Sequence, residues 1–189
     1  MRIIAGRWGG RRLMTPVGSA HRPTQGRVRE AVFSRLTDRI EGAVVLDLFA
    51  GSGSLGLEAL SRGACRAGFV ERSPRALAAL RSNIAQLGAG ESCQIMAGEV
   101  VSFLRGTWGA FGPVTLLFAD PPYGDLAAHT APKLVDAPGI LWGEGALQVI
   151  ECDSRDPSWP PAPGWVRWTD RVYGETRVVI DERDADGRT

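Results

Sequence analysis

Asp120-Pro121-Pro122-Tyr123 puts a carboxylate, two rigid carbonyl acceptors and a flat phenol ring into four consecutive residues. Such a set suits an exocyclic amine, whose nitrogen lone pair is delocalised into its ring and attacks poorly. Asp120 and a backbone carbonyl of the Pro121 region can accept the two N–H bonds of that amine. They would steer the nitrogen toward tetrahedral geometry and stabilise the positive charge that grows as it attacks an electrophile. The two prolines remove backbone freedom and donors, and Tyr123 can stack on a base turned out of its helix. Without a ligand, the same four residues make a strand-to-turn connection with an Asp cap.

A second constellation lies in Val44-Val45-Leu46-Asp47-Leu48-Phe49-Ala50-Gly51-Ser52-Gly53-Ser54-Leu55-Gly56. An apolar run of strand length ends in an acid, passes through glycines and feeds a helical pattern, which is the grammar of a nucleotide-binding βα unit. Without Cβ atoms, the turn of Gly51, Gly53 and Gly56 can bend tightly and let a ligand approach the backbone at a helix N-terminus. Glu71 ends the next strand, where an acid can accept hydrogen bonds from ribose hydroxyls. This pair fits NAD, FAD or S-adenosylmethionine, and also a tight turn in a flavodoxin-like domain that binds no nucleotide. Three features favour S-adenosylmethionine. Asp47 lies four residues before the first glycine, placed for the amino-acid end of that cofactor; Asp120 follows the apolar strand Leu116-Leu117-Phe118-Ala119, at the carboxyl end where open α/β sheets place ligands; and the chain ends in an antiparallel hairpin.

Apolar strand-like runs near 43–48, 66–71, 92–96, 114–119 and 146–151 alternate with helical ones near 54–63, 74–87, 99–105 and 126–136. Alternation of this kind predicts a parallel sheet covered on both faces. Ser73-Pro74 is a helix start, with the serine as cap and the proline in the first turn. After the proline-rich stretch Pro157 to Pro163, Trp165–Trp168 and Thr176–Ile180 flank Val172-Tyr173-Gly174-Glu175 and read as the final hairpin. Near the N-terminus, Arg2–Ala5 and Arg11–Met14 flank a glycine-rich bend and predict a hairpin too small to be stable alone. It must lean on the main domain or wait for a partner to order it. A loop over 16–22 leads to a helix with Thr24 as cap and Val28, Val32, Phe33 and Leu36 on one face. Arg27 and Arg29 fall off that stripe, free to face a phosphate backbone. The polar end from Asp181 to Thr189 reads as a tail, so the expected division is a basic extension over 1–40, a main domain over 41–182 and disorder over 183–189.

The formal net charge of +1 hides an asymmetry: residues 1–40 hold nine arginines against Glu30 and Asp38, a net of +7, and the remainder holds 13 basic against 19 acidic residues, a net of −6. The basic end is a candidate polyanion-binding arm. Lys133 is the only lysine, so the clustering of arginines is a better signal than their number. Cys65, Cys93 and Cys152 are odd in number, far apart and outside any CxxC pair, which argues for buried free thiols rather than a disulfide framework or zinc site. His21 and His129 have no neighbour that would make a catalytic pair. No run approaches ~18 apolar residues and the N-terminus lacks the apolar core of a signal peptide, which places the protein in the cytoplasm.

Arg2-Ile3-Ile4-Ala5-Gly6, Gly10-Arg11-Arg12-Leu13, Arg22-Pro23-Thr24, Arg27-Val28-Arg29-Glu30 with Phe33, Asp47 through Ala59, Asp120-Pro121-Pro122-Tyr123 and Val172-Tyr173-Gly174-Glu175-Thr176 together resemble the bacterial small-subunit rRNA guanine-N2 methyltransferase family often called RsmD. The match runs in register over nearly the whole chain. The resemblance implies a Rossmann-like class I S-adenosylmethionine-dependent methyltransferase, α/β, with a seven-stranded mostly parallel sheet ending in an antiparallel hairpin and a small N-terminal hairpin and helix extension. It implies methylation of N2 of one guanine in 16S rRNA, on the small ribosomal subunit or its assembly intermediate, by a monomer that needs no metal and no membrane. By that likeness Asp120, Pro121, Pro122 and Tyr123 hold the guanine, and Asp47, Ala50, Gly51, Ser52, Gly53, Glu71, Arg72, Gly98 and Glu99 hold the cofactor. Arg2, Arg7, Arg11, Arg12, Arg22, Thr24, Arg27 and Arg29 hold the rRNA. Gly98-Glu99 departs from the family pattern: relatives place an Asp or a small residue there against the adenine, so Glu99 either reaches further or leaves that contact to backbone amides.

Two other functions use the same residues. A DNA adenine-N6 methyltransferase also presents Asp-Pro-Pro-Tyr to its acceptor, but this chain has no room for a sizeable target-recognition domain. An RNA-binding assembly factor that keeps the fold without catalysis has no need of Asp47, Glu71 and Asp120 together. Direct transfer from a sulfonium needs no covalent enzyme intermediate, so the cysteines are not required as nucleophiles.

Overall fold

Five mostly apolar segments pair in parallel, with helices over both sides. They are β1 (Val44–Leu48), β2 (Arg66–Glu71), β3 (Cys93–Ala97), β4 (Val114–Ala119) and β5 (Trp142–Asp153). The computed structural model describes residues 1–16, 23–106, 111–121, 140–157 and 159–184, with side chains of the first helix described from Gly26 onward. The last strands, β6 (Trp165–Tyr173) and β7 (Thr176–Arg183), close the sheet as an antiparallel hairpin through the two-residue turn Gly174-Glu175. The strand order is β3-β2-β1-β4-β5-β7-β6, with β7 antiparallel to β5. The order reverses between β1 and β4, and the crevice beyond their carboxyl ends is where such sheets take ligands.

The helices are α1 (Pro23–Arg35), α2 (Ser54–Ser61), α3 (Pro74–Leu87) and α4 (Val100–Arg105). α3 starts as its sequence predicts: Ser73 Oγ accepts from the Ala76 N–H at 3.4 Å, and Pro74 occupies the first turn. On one side of the sheet α1, α2 and α3 enclose a cluster that includes Phe33, Leu57, Leu80 and Phe118; on the other, Val100, Phe103 and Leu104 of α4 join Leu46, Val70 and Leu117. Within α2 every residue from Leu55 to Ser61 is buried, because the sheet covers one side and the N-terminal hairpin the other.

That hairpin is held by backbone pairs: Arg2 bridges Arg12, Ile3 N–H donates to the Arg11 carbonyl at 3.0 Å, and Leu13 N–H to that of Met1 at 3.0 Å. Its docking onto α2 is polar as well as apolar. Glu58 accepts from Ile4 N–H at 2.7 Å and Ala5 N–H at 3.0 Å, and Ser61 Oγ accepts from Trp8 N–H at 3.0 Å. Asn83 of α3 accepts from Met14 N–H at 2.7 Å and donates to its carbonyl at 3.0 Å. Ile3, Trp8 and Leu13 lie in the same cluster as Phe118 and Val149 of the sheet.

Four sequence expectations need correction. Helix α1 already includes Pro23, so Thr24 sits in its first turn rather than at the cap. Strand β5 starts at Trp142, four residues early: Gly143-Glu144-Gly145 reads as a break but is taken up in a register shift, between the Val114–Trp142 and Leu116–Leu147 pairs with β4. The polar end is not a tail from Asp181, nor is Arg183 free: β7 runs to Arg183, and Asp184 N–H donates to the Gly164 carbonyl at 2.9 Å. Of the thiols only Cys152 is buried, whereas Cys65 is exposed. The expected helix over 126–136, His21 and His129 lie outside the described residues. Among those described, no helix is long and apolar enough to cross a membrane, and no group of His, Cys, Asp or Glu could hold a metal ion.

Candidate active site

The carboxyl end of β1 holds the deepest charged group of the site. Asp47 is 2% exposed, and its Oδ2 accepts from the Gly56 N–H at 2.9 Å, tying the strand to the first turn of α2. Burial raises its pKa to about 7 against the lowering effect of that hydrogen bond, with the charges of Asp120 and Glu71 pushing the same way as burial. The chain then turns sharply. Phe49 takes φ 59°, a left-handed conformation that costs an aromatic residue strain, and Gly51 follows at φ 56°. Ala50 N–H donates to the Val70 carbonyl at 3.0 Å, and the Ser52 carbonyl accepts from Asn83 at 2.9 Å, so the turn is fastened to β2 and α3.

The three glycines do different work. A Cβ on Gly53 would stand 2.4 Å from Leu80, and one on Gly56 2.4 Å from the Phe69 ring. These two let α2 settle against α3 and β2. A Cβ on Gly51 meets nothing nearer than 4.0 Å, and one on Gly98 meets nothing within 4 Å. Backbone open to a ligand is therefore found at Gly51 and Gly98, at the ends of β1 and β3, with Glu71 between them at the end of β2.

Glu71 is more committed than its sequence position suggests. Its Oε2 accepts from Gly51 N–H at 2.8 Å, and its Oε1 from the N–H groups of Arg72 at 2.8 Å and Ser73 at 2.7 Å. A carboxylate offers about four lone-pair directions, so it can brace the glycine turn and still accept from a hydroxyl. Beside it Arg72 and Glu99 form an exposed ion pair at 2.9 Å, which raises the arginine pKa further. The long reach of Glu99 is thus spent on Arg72, and Gly98 N–H donates to the Glu71 carbonyl at 2.9 Å.

At the end of β4, Asp120 is open to solvent and Pro121 is buried; Pro122 and Tyr123 lie outside the described residues. Protein crowded around the Asp120 carboxyl still raises its pKa to about 6 by desolvation. The structure brings Asp120 together with a residue that the motifs did not single out. Ala119 pairs with Ile150, so Asp120 is followed across the register by Glu151 of β5, whose pKa is pushed up to about 8 by burial and then by Asp120. The signal for it was an acid closing an apolar run, Val149-Ile150-Glu151, as Glu71 closes Phe69-Val70-Glu71.

The expected RNA-binding residues divide. Arg2, Arg7, Arg11, Arg12 and Arg27 are exposed, with the Arg7 guanidinium 3.9 Å above the Trp8 ring. Arg22 and the Thr24 side chain lie outside the described residues. Arg29 is not free for phosphate: it is 7% exposed, its Nη2 donates to the Arg2 carbonyl at 2.6 Å, and it sits in the fields of Glu58 and Glu151, with burial lowering its pKa. It lies four residues before Phe33, which packs on Phe118 at 5.5 Å, so the same helical turn that seats Phe33 carries Arg29 inward.

Comparison with known proteins agrees with this architecture. A family model described as conserved hypothetical protein 95 matches residues 1–182. Ribosomal RNA small subunit methyltransferase D of Escherichia coli K12 is 35% identical, covering 100% of this chain and 93% of that protein. The Haemophilus influenzae protein of the same name is 37% identical, covering 92% and 89%. The solved structure of the Escherichia coli protein yhhF superposes with a TM-score of 0.84 at 36% identity, covering 98% of this chain and 99% of that one.

Proposed function

The chain belongs to the family described as conserved hypothetical protein 95, the RsmD family that its motifs resemble, and on that premise we propose that it methylates N2 of a guanine in small-subunit rRNA. The observation that carries this reading is the placement of Asp120 at the carboxyl end of β4, beside the β1 turn with Asp47 beneath it. The methyl donor is S-adenosylmethionine. Residues at the ends of β1, β2 and β3 fit it: Gly51 and Gly98 leave backbone open, Glu71 has capacity left for a hydroxyl, and Asp47 offers negative charge below the turn. The cofactor supplies a methyl group already activated on a sulfonium.

The chain's own part is to hold and polarise the amine. Asp120 and the Pro121 carbonyl accept the two N–H bonds, which localises the nitrogen lone pair. As the N–C bond forms, the amine becomes cationic, and the Asp120 carboxylate stabilises that charge. The excess proton then leaves the nitrogen for Asp120 or water. The exposed arginines of the N-terminal hairpin and α1 fit contacts with rRNA phosphates, and an rRNA substrate places the protein in the cytoplasm. Residues 1–40 act as the RNA-binding extension of a methyltransferase domain that begins at residue 41.

The test is transfer of labelled methyl from S-adenosylmethionine to small subunits from a strain lacking the enzyme, followed by mapping of the modified base. Label on N2 of one guanine is expected. Label on adenine N6 of duplex DNA instead, or none on either substrate, would overturn the reading.

A further inference from the structure

Three carboxyls end up on one face of the sheet. Asp47 pairs with Phe118 and Phe118 with Val149, and alternation then brings Asp120 and Glu151, each two residues further on, to the side that packs under α1. They grade from deep to open: Asp47 is buried, Glu151 partly exposed and Asp120 exposed. The cation beside Glu151 is Arg29 of α1, shared with Glu58 of α2 and next to Arg62. Its Nε is buried without a hydrogen-bond partner among the described residues. From β7, the residue paired with Glu151 is the apolar Val178.

Carboxyls this close to one another and partly removed from water cannot all ionise, so at least one keeps its proton. Burial raises the pKa of all three; Asp120 is the most open to solvent and gives up its proton first, while Arg29 offsets part of the rise at Glu151. Around neutrality the Asp120–Glu151 pair therefore carries one negative charge and one proton, the charge lying on the member that faces the substrate. A neutral carboxylic acid is a donor and its ionised neighbour an acceptor.

We propose that Glu151 is a positioning residue for methyl transfer: as a neutral acid beside Asp120, under Arg29, it donates a hydrogen bond that holds the Asp120 carboxylate ionised and aimed at the substrate amine. This rests on the methyl-transfer reading. Two limbs then bound the pH profile of the single-turnover rate: an acid limb where Asp120 takes up a proton and an alkaline limb where Glu151 loses its own.

The experiment compares single-turnover methylation of small subunits, with both substrates saturating, across pH 5.5 to 9.5 for wild type, Glu151→Gln and Glu151→Leu. The carboxamide of Gln donates at every pH, so E151Q should keep the rate at pH 7 within about threefold and lose the alkaline limb. E151L should lose about 10- to 100-fold at pH 7, the effect of one hydrogen bond to a charged group, with unchanged affinity for S-adenosylmethionine. An alkaline limb that persists in E151Q, or an E151L rate equal to wild type, overturns the proposal. Carboxyl carbon NMR titration keeps the test open if the variants fail to fold. In the wild-type chain one carboxyl should titrate near pH 8 and shift to lower pH in Asp120→Asn; absence of such a group also overturns it. Failure of wild type to methylate small subunits would instead count against the proposed substrate, and the titration would still decide the role of Glu151.

Discussion

Asp47 and Asp120 share a raised pKa, but the consequences run in opposite directions. In the proposed mechanism Asp120 stabilises the growing positive charge only when ionised, and its pKa of about 6 means that methyl transfer should fade as pH falls through about 6 rather than through the ordinary carboxylate range. Rates measured between pH 5 and 8 check this. Asp120→Asn should lower the rate about 100-fold or more, as loss of a charge-stabilising group does, while calorimetry shows S-adenosylmethionine affinity within about threefold of wild type. Asp47 has no such freedom. Its folded-state pKa of about 7 lies above its unfolded value of 3.8, so the folded chain binds a proton more tightly than the unfolded one. Ionising Asp47 therefore costs stability as pH rises from about 4 to about 7, and the full cost persists above. Asp47→Asn keeps an oxygen for the Gly56 N–H and removes that cost. The ligand-free variant should melt ~3–6 °C higher than wild type at pH 8, with the gain shrinking toward pH 4, and should bind the cationic cofactor more weakly. A variant that melts lower at pH 8 would show that the charge is not the liability described.

The N-terminal hairpin and α2 behave as one element, because the buried Glu58 satisfies two hairpin N–H groups and Arg62 at once. Glu58→Ala leaves those part-buried donors without their acceptor, at up to about 1–3 kcal/mol each. It should lower the melting temperature and speed amide exchange at Ile3, Gly10 and Leu13, with β1 and β4 amides protected under the same conditions. Equal loss of protection throughout would mean that the latch is not local. This latch was not legible in the sequence: Ser54-Leu55-Gly56-Leu57-Glu58-Ala59-Leu60-Ser61 shows a helical pattern, but nothing in it says that the polar side is covered by residues some fifty positions earlier. The strand–helix order, the Ser73-Pro74 start and the closing hairpin were legible because each is set by periodicity or by a local cap. The glycine turn was only half legible. A φ requirement falls on Gly51 and Gly53, at 56° and 83°, whereas the close approach of Leu80 to Gly53 and of Phe69 to Gly56 exists only in the packed fold. Likewise, Arg29 reads as a solvated charge beside the apolar stripe, yet its spacing of four from Phe33 turns it inward, and only the neighbouring Glu58 and Glu151 explain how a guanidinium is accommodated there.

At the scale of the whole molecule the charge asymmetry survives with two arginines committed within the fold. Residues 1–40 carry the excess of arginine, but Arg29 is committed inside the fold and Arg39 pairs with Glu182, so the surface proposed to meet rRNA is that of Arg2, Arg7, Arg11, Arg12 and Arg27 on a docked hairpin and the helix that follows it. Because the hairpin is latched to α2, and α2 begins at the glycine turn, these charges are held at a fixed distance from the methyl-transfer end of the sheet. They add affinity without base specificity, since phosphate contacts position a nucleic acid while base contacts specify it. Each phosphate neutralised contributes ~0.7–0.9 to the slope of log affinity against log salt. Replacing Arg7, Arg11, Arg12 and Arg27 together with Gln should therefore flatten the slope by ~3 units and weaken binding at low salt. A wild-type slope in that variant would remove the hairpin from the rRNA interface. Arg29→Lys supplies the internal control: a buried cation that touches no phosphate should leave the salt slope where it is while changing the pH profile of transfer through Glu151.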